Sequence, residues 1–483
     1  MNKIRTRFAP SPTGYLHIGG LRTALYAYLF AKKSDGDFIL RVEDTDRDRL
    51  VDGACEVIYS TLKDTGLNYD EGPDVGGEFG PYIQSERKDI YLKYAKELID
   101  NGSAYYCFCT KERLADLRKE KEAAKEAFTY DKHCLSLSKE DIEKNLKDGM
   151  SYVIRQNIPL EGETTYKDAV YGEITVPNAD LDDNVLLKSD GMPTYNLANV
   201  VDDYLMGITH IVRGAEYLSS TPKYNLLYEA LGWKIPEYIH LPPVMKDKNQ
   251  KLSKRHGDAS YKDFIDKGYI KEAIINYIAL LGWSGKGNQE IYSIDELISA
   301  FNLEGLSKSP AIFDIEKLTW MNAQYIRNYT KEEFIEKAMP FFEQVDAEKF
   351  DLDMIADIMQ PRLERMTEIP EKLEFLTKMP DYDLEFYYHK RMKTNSDMPL
   401  SVLEPCLEVL KATEDFTKDG LHDPLMELVE KLEVKNGQVL WPLRVAITGT
   451  LVTPGGAFEA AHLLGKEETL RRLEFSIEKL KAQ

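Results

Sequence analysis

Apolar positions change their period several times along this 483-residue chain. Residues 4–9 and 37–43 read as short buried parallel strands, and between them Leu21, Leu25 and Tyr28 recur at helical spacing. A helix starting near Ile18 would therefore lay one face on a sheet. The order strand, glycine-rich turn, helix, strand is the opening of a doubly wound α/β fold. Helices near 51–65 and 85–101 extend it. From Ala104 to Tyr195 the texture changes. Short β-like pieces at 104–109, 151–155, 173–176 and 185–188 mix with charged helices, and Ser189-Asp190-Gly191 marks a turn between strands. This stretch reads as an α+β insertion between two halves of the sheet, which resumes with a helix at 195–206, a strand at 208–213 and a helix at 221–231. From Tyr269 onward the pattern is helical, with breaks expected at Gly305, Pro310, Pro380, Pro399 and the turn Thr453-Pro454-Gly455-Gly456. The expected fold is a doubly wound, Rossmann-like parallel sheet with an inserted α+β domain and all-α C-terminal domains. The expected segments are 1–103, 104–194, 195–250, 251–325, 326–378 and 379–483.

Composition narrows the class. The length implies about three domains or more. No apolar run approaches a membrane span, and Met1-Asn2-Lys3-Ile4-Arg5 runs directly into the first strand, so no signal peptide and no membrane are expected. The cysteines Cys55, Cys107, Cys109, Cys134 and Cys406 are few and odd in number, which speaks against a disulfide framework and for a reducing cytoplasm. The net charge of −20 opposes general affinity for polyanions. Lys3, Arg5 and Arg7, the lysines within 119–125, and the cations of 246–255 nonetheless form local basic tracks. A nucleic-acid partner would have to follow those tracks across a repelling surface.

The stretch from Arg7 to Leu21 holds Pro10-Ser11-Pro12-Thr13-Gly14 and then His17-Ile18-Gly19-Gly20. A loop of this kind lets backbone N–H groups at a helix start approach a polyphosphate, with the imidazole donating a further hydrogen bond. It matches neither a P-loop nor a dinucleotide fingerprint. Far downstream lies the basic run Lys251-Leu252-Ser253-Lys254-Arg255. Together the two segments resemble the paired HIGH and KMSKS signatures of class I aminoacyl-tRNA synthetases, a family of HIGH-type nucleotidyl transferases. The Pro-Ser-Pro-Thr-Gly run narrows the resemblance to the glutamyl-tRNA synthetases. The helical C-terminal region resembles the bacterial type, whose anticodon modules are α-helical. Gly20 stands where many class I enzymes carry a second histidine; small residues are usual there in the glutamyl subgroup.

The resemblance implies ATP with Mg2+, L-glutamate and tRNA(Glu) as partners, and a cytoplasmic monomer. Activation of an amino acid by ATP builds negative charge at the α-phosphate and the leaving pyrophosphate, which positioned cations and N–H groups stabilise. The implied catalytic residues are His17 and Lys254, assisted by Lys251. Pro10, Gly19, Gly20, Glu216, Val244 and Ser253 would join them around ATP. Glutamate offers two carboxylates and one ammonium. Arg7 and Arg213 would grip the carboxylates, Glu43 the ammonium, with Ser11, Tyr195 and Asn199 adding hydrogen bonds. By the same resemblance, Arg213 separates glutamate from glutamine. The six segments become two catalytic halves at 1–103 and 195–250, an acceptor-stem-binding insertion, a helical domain carrying the KMSKS loop, and two anticodon modules.

Some family members hold a structural zinc in the insertion through Cys-x-Cys and a later Cys-x-His. Cys107, Cys109 and Cys134 match three of those positions, while Ser136 takes the place of the histidine. Tyr130, four residues before Cys134 as in the glutamyl-queuosine relatives, and the adjacent His133 are alternative fourth ligands. Reduced cysteines without metal are the competing reading. In the C-terminal region Arg362 matches an arginine that faces the last anticodon base and goes with restriction to glutamate tRNA; Arg444 and Thr453 match two further anticodon contacts. Three rivals remain: the queuosine-modifying relative, a silent RNA- or protein-binding paralogue, and a small-molecule ligase of the same superfold. The long helical tail disfavours the first and third, and joint retention of His17, Lys254, Arg7, Glu43 and Arg213 disfavours the second.

Overall fold

The computed structural model describes residues 3–46, 49–126, 128–252, 260–342, 349–395 and 398–482. The chain divides into two units, residues 1–264 with 274–314, and residues 265–273 with 315–483. Among the described residues no helix is long and apolar enough to cross a membrane.

The first unit begins with β1 (Arg5–Phe8), α1 (Ile18–Lys33) and β2 (Asp37–Leu40), the two strands pairing in parallel. Helix α1 is buried over most of its length because small and apolar residues surround it on both sides, Leu21, Ala24, Leu25 and Leu29 among them. Next come α2 (Ala54–Asp64), α3 (Lys88–Asp100), β3 (Ala104–Cys107), α4 (Lys111–Ala123) and α5 (Lys139–Lys147). The strands β4 (Val153–Gln156), β5 (Glu163–Asp168), β6 (Gly172–Pro177) and β7 (Val185–Leu187) follow. Then come α6 (Tyr195–Leu205), β8 (His210–Gly214), α7 (Thr221–Ala230) and β9 (Glu237–Leu241). The unit closes with β10 (Val244–Met245), α8 (Tyr261–Asp266), α9 (Lys271–Ala279), α10 (Ile294–Ala300) and β11 (Ala311–Ile312), of which α8 and α9 run partly into the second unit.

Strands β8 and β9 pair in parallel, and Thr209 N–H donates to the Arg5 carbonyl, bringing β8 alongside β1. The parallel strands thus end on one side, where ligands of open α/β sheets bind. Within the stretch expected as an insertion, β3, β4 and β7 form a separate antiparallel sheet. The β5–β6 hairpin does not join them. It extends the main sheet through the Asp168–Tyr238 pair between β5 and β9. Neither β5 nor β9 is among the strands expected from sequence.

The second unit is helical: α11 (Ile315–Asn328), α12 (Lys331–Ala338), α13 (Leu352–Met359), α14 (Ile369–Thr377), α15 (Met398–Ala412), α16 (Lys418–Lys431), α17 (Asn436–Thr448) and α18 (Ala457–Lys481). Pro399 lies in the first turn of α15, where a missing N–H is tolerated. Pro405, Pro424 and Pro442 sit inside α15, α16 and α17 without ending them. One apolar core running from Ile326 to Ile477 outweighs the lost backbone bonds.

Arg472 is fully buried in that core. Its Nη1 donates to the Phe375 and Ile447 carbonyls and its Nε to Glu468 at 2.6 Å. Hydrogen bonds from Arg471 first, and from Arg472, hold the Glu468 carboxyl at about 2, against 4.5 ordinarily. A depressed carboxylate stabilises the fold above its unfolded pKa and loses that contribution as pH falls through the folded one. Glu468→Gln should therefore cost about 1–2 kcal/mol at neutral pH, after allowance for the carboxylate's partial exposure. In urea denaturation of the intact protein at a series of pH values, the gap between variant and wild type should narrow below pH 4.5.

Candidate active site

His17 is the N-cap of α1, in extended conformation, and its Nδ1 accepts the Gly19 N–H at 3.0 Å. With Nδ1 used as an acceptor, the proton of the neutral imidazole sits on Nε2, which makes the other edge of the ring a donor. The ring lines a cavity of 180 Å³ together with Gly19, Gly20, Thr23, Glu216, Val244 and Lys251. Lys251 reaches it because it pairs back on Met245 in a short ribbon, while β10 pairs in parallel with β11. The first motif and the start of the second therefore share one cavity. Ser253 and Lys254 lie outside the described residues.

A second cavity, of 140 Å³, shares Gly20, Thr23 and Gly214 with the first. Arg7, Glu43, Tyr195, Arg213 and Tyr217 line it. Arg7 comes from the end of β1, Arg213 from the end of β8, Tyr195 from the first residue of α6, and Glu43 from the chain just beyond β2. The Glu43 N–H donates to the Pro10 carbonyl and the Arg41 N–H to the Phe8 carbonyl, which continues the β1–β2 pairing into the loop. Gly20 lines both cavities, and a Cβ there would stand 3.2 Å from a Leu16 methyl, so a larger residue would crowd Leu16.

Other expected residues lie off these walls. Ser11 is exposed, Pro10 contributes its carbonyl to Glu43, and neither lines a cavity. Asn199 is buried, with Nδ2 donating to the Tyr195 carbonyl one turn back. It stiffens the first turn of α6 from behind the pocket.

Several residues beneath the site are not among those expected from sequence. Asp203 lies on the same face of α6 as Tyr195 and Asn199, four residues apart each. It accepts from Arg7 Nε at 3.0 Å and from Arg41 Nη1 at 2.7 Å, and Arg41 Nη2 donates to Glu43 at 3.0 Å. Burial would raise the Asp203 carboxyl, but the two guanidiniums outweigh it and hold it below the usual range. Burial raises Glu43, which Arg41 and Arg7 only partly offset. Arg22, on the buried face of α1, lines the first cavity and donates to the carbonyls of Leu281 and Pro242. The signal available in the sequence is an arginine or aspartate on an otherwise apolar helix face, since such charges are almost never buried unpaired.

In the insertion, Cys107, Cys109 and Cys134 bring their sulfurs within 4.8 Å of one another. The Tyr130 hydroxyl lies 3.4 Å from Cys107 Sγ and 3.2 Å from Cys109 Sγ, and Cys109 and Cys134 are 3.5 Å apart. A tetrahedron with Zn–S of about 2.3 Å has edges near this length. Lys132 takes a left-handed backbone conformation (φ 54°), a turn that returns Cys134 to the cluster, and its Nζ pairs with Asp183 at 2.7 Å. Hydrogen bonds from Cys134 first, and also from Tyr130 and Arg155, hold the Cys107 thiol down at about 4. Arg155 Nε lies 3.4 Å from Cys107 Sγ and its guanidinium stacks on the Tyr130 ring at 4.2 Å, a positive cap suited to an anionic thiolate cluster. His133 is exposed and outside the group; Ser136 turns its hydroxyl to the His133 carbonyl.

In the second unit Arg362 is exposed in the turn Gln360–Arg362, with Nη1 donating to the Ile358 carbonyl. Arg444 is buried. Its Nη1 donates to Thr453 Oγ1 and its Nη2 to the Leu451 carbonyl, each at 2.7 Å, over the Trp441 ring. The fold thus joins Arg444 to Thr453, while the Arg362 hydrogen bond goes to Ile358.

The family model for the catalytic domain of class I tRNA synthetases (E and Q) matches residues 3–320, and an anticodon binding domain model matches residues 333–477. The chain is 58% identical over 480 residues to a glutamate–tRNA ligase of Clostridium tetani, covering 99% of this chain and 98% of that one. A glutamate–tRNA ligase of Clostridium botulinum is likewise 58% identical, over 481 residues, with 100% and 99% covered. Among solved structures, a glutamate tRNA ligase from Elizabethkingia meningosepticum in complex with its amino acid superposes with a TM-score of 0.92 at 37% identity, over 99% of this chain and 100% of that one. Full-length identity of this order, on a sheet whose strand ends hold one paired cavity, means that the chain belongs to the class I tRNA synthetases, among the glutamate–tRNA ligases.

Proposed function

We propose that the 180 Å³ cavity takes the triphosphate of ATP and the 140 Å³ cavity takes L-glutamate. The observation that carries this reading is their shared wall of Gly20, Thr23 and Gly214. Across that wall a glutamate α-carboxylate oxygen attacks the α-phosphorus, and the bond to the pyrophosphate oxygen breaks. Glutamyl-AMP and pyrophosphate result. The 3′-terminal ribose hydroxyl of tRNA(Glu) then attacks the glutamyl carbonyl and releases AMP. His17 Nε2–H and the N–H groups at the start of α1 meet the phosphate charge on one side. Lys251, and by motif Ser253 and Lys254, meet it on the other. Glu216 and Val244 border the nucleotide, and Mg2+ accompanies it.

In the amino-acid cavity Arg7 and Arg213 take the two carboxylates and Glu43 the ammonium, with Tyr195 beside them. Ser11 and Asn199 act from outside the wall. The cytoplasm is the setting that five reduced cysteines fit, and the enzyme acts as a single chain. We further propose that Cys107, Cys109, Cys134 and Tyr130 hold a zinc ion with a purely structural role. Residues 326–378 and 379–483 read the anticodon. Arg362 faces the last base, and Arg444 acts through the 449–456 loop that it ties down by Thr453.

Arg213→Ala should abolish glutamate activation while leaving ATP affinity, measured by direct binding, within about threefold, because its loss strips charge from one cavity only. Pyrophosphate exchange should depend on added tRNA(Glu), as the resemblance implies. Normal glutamate kinetics in the variant would remove the pocket assignment.

Elemental analysis of protein purified without added metal should find zinc near one equivalent, and Tyr130→Phe should weaken its retention against a chelator about tenfold or more. Wild-type retention in that variant would exclude the phenol as a ligand.

With separated transcripts, wild type should charge tRNA(Glu) and not tRNA(Gln), and Arg362→Gln should narrow that gap. Equal charging of both tRNAs by wild type would refute the role given to Arg362.

A further inference from the structure

Arg213 is buried at the end of β8, yet its guanidinium meets no carboxylate among the described residues. Its Nε donates to His240 Nε2 at 3.0 Å and its Nη2 to Thr221 Oγ1 at 2.7 Å. Nη1 has no partner among the described residues, and the side chain lines the amino-acid cavity. The rings of Tyr217, Tyr224 and Tyr238 stand within 5.1–5.3 Å of the guanidinium carbon and close its other approaches.

Proton accounting fixes His240. Asp168 Oδ2 lies 2.7 Å from His240 Nδ1 and also accepts the His240 N–H, while Oδ1 accepts the N–H groups of Val170 and Tyr171. Three backbone N–H donors around one carboxylate keep it ionised. Nδ1 must therefore carry a proton. The Thr221 hydroxyl hydrogen goes to the Tyr217 carbonyl at 2.8 Å. His240 Nε2 is thus left with a lone pair that faces Arg213 Nε–H. Burial first, and the Arg213 charge, hold the imidazole below its usual pKa, so the ring stays neutral. Protonation would set one N–H against another.

We infer that Asp168 and His240 form a positioning dyad that locks the Arg213 guanidinium with one N–H edge presented to the amino-acid side chain. The dyad thereby sets the preference for a carboxylate over an amide. Asp168 fixes the tautomer of His240, His240 fixes the rotation of Arg213, and the unpartnered Nη1 is left facing the cavity. Neither Asp168 nor His240 lines the cavity, so both act through Arg213. The inference rests on the reading of Arg213 as a glutamate ligand.

Two substitutions at one position separate the roles. In His240→Asn the amide can still donate to Asp168 but is too short to accept from Arg213 Nε. In His240→Gln the side-chain oxygen reaches the former Nε2 position. His240→Asn should raise the glutamate KM about tenfold, the loss expected for one hydrogen bond to a charge, with kcat, the ATP KM and the melting temperature close to wild type. Its preference for glutamate over glutamine, measured as the ratio of kcat/KM values, should fall in proportion. His240→Gln should recover most of the glutamate KM. If both variants keep a wild-type glutamate KM while Arg213→Ala abolishes activation, the dyad is idle and the pocket reading stands. If Arg213→Ala leaves glutamate kinetics unchanged, the pocket reading and the dyad fall together. A joint loss of melting temperature and ATP affinity in both His240 variants would assign the pair to packing and overturn the inference.

Discussion

The carboxylate of Asp203, fully buried in α6, accepts from Arg7 Nε and Arg41 Nη1 and so ties together the end of β1, the chain beyond β2 and the central helix. Two guanidiniums share one acid, and the second of them also holds Glu43. Removing one member of a buried ionic set costs about 3–5 kcal/mol, because the remaining charges stay uncompensated. Here the cost would fall on the pocket itself, since Arg7 and Glu43 both line it. The neighbouring Asp202 repeats the arrangement, accepting from Arg87 Nε, Gln84 Nε2 and Tyr91 Oη. The adjacent acids of α6 thus divide the work. Asp203 holds Arg7 and Arg41 behind the 140 Å³ cavity, and Asp202, itself 3.8 Å from Arg41 Nε, anchors α3 and the turn before it.

Features written in local pattern were legible in the sequence. The opening strands, the helix at Ile18 and the glycine-rich start of that helix each follow from spacing within a few residues, and His17, Arg7, Glu43 and Arg213 meet at the paired cavities. What was not legible depends on distant partners. Strand β5 alternates inward and outward as a strand should, but its inward residues Thr164, Tyr166 and Asp168 are polar or amphipathic, so hydrophobic alternation hides it. Strand β9 carries Glu237 and His240 in five residues and is followed by two prolines. Asp203 and His240 acquire meaning only from partners 196 and 27 residues away. Asn199 and Ser11 show the converse: a motif names them, while geometry gives their side chains no place on the cavity wall.

A different constraint governs the cysteine cluster. Three sulfurs and a phenol gathered in so small a volume, beside a buried arginine, would be a poor way to fill a core, because four soft or polar groups displace aliphatic packing. The cost is offset when the groups share a cation. The cluster sits beside the sheet of β3, β4 and β7, whose residues Ala104, Ile154, Leu186 and Leu187 are buried in a separate apolar core while Tyr105 and Cys107 pack within the cluster. A metal there would tie β3 to the turn that carries Tyr130 and Cys134.

The same stretch of chain also supports the wall of the 140 Å³ cavity. Its β5–β6 hairpin is the one part that joins the main sheet, and Asp168 is the last residue of β5 at the point of junction. That single carboxylate caps the turn between the hairpin strands, accepts the backbone N–H of His240, and fixes the His240 ring against Arg213. The rotation of Arg213 is therefore set by a residue that arrives with the hairpin. A displacement of the hairpin would reach the guanidinium through two hydrogen bonds, one between Asp168 and His240 and one between His240 and Arg213. The boundary between the main sheet and residues 104–194 is in this sense a chemical joint: the last residue of β5 holds in place an arginine that lines the 140 Å³ cavity.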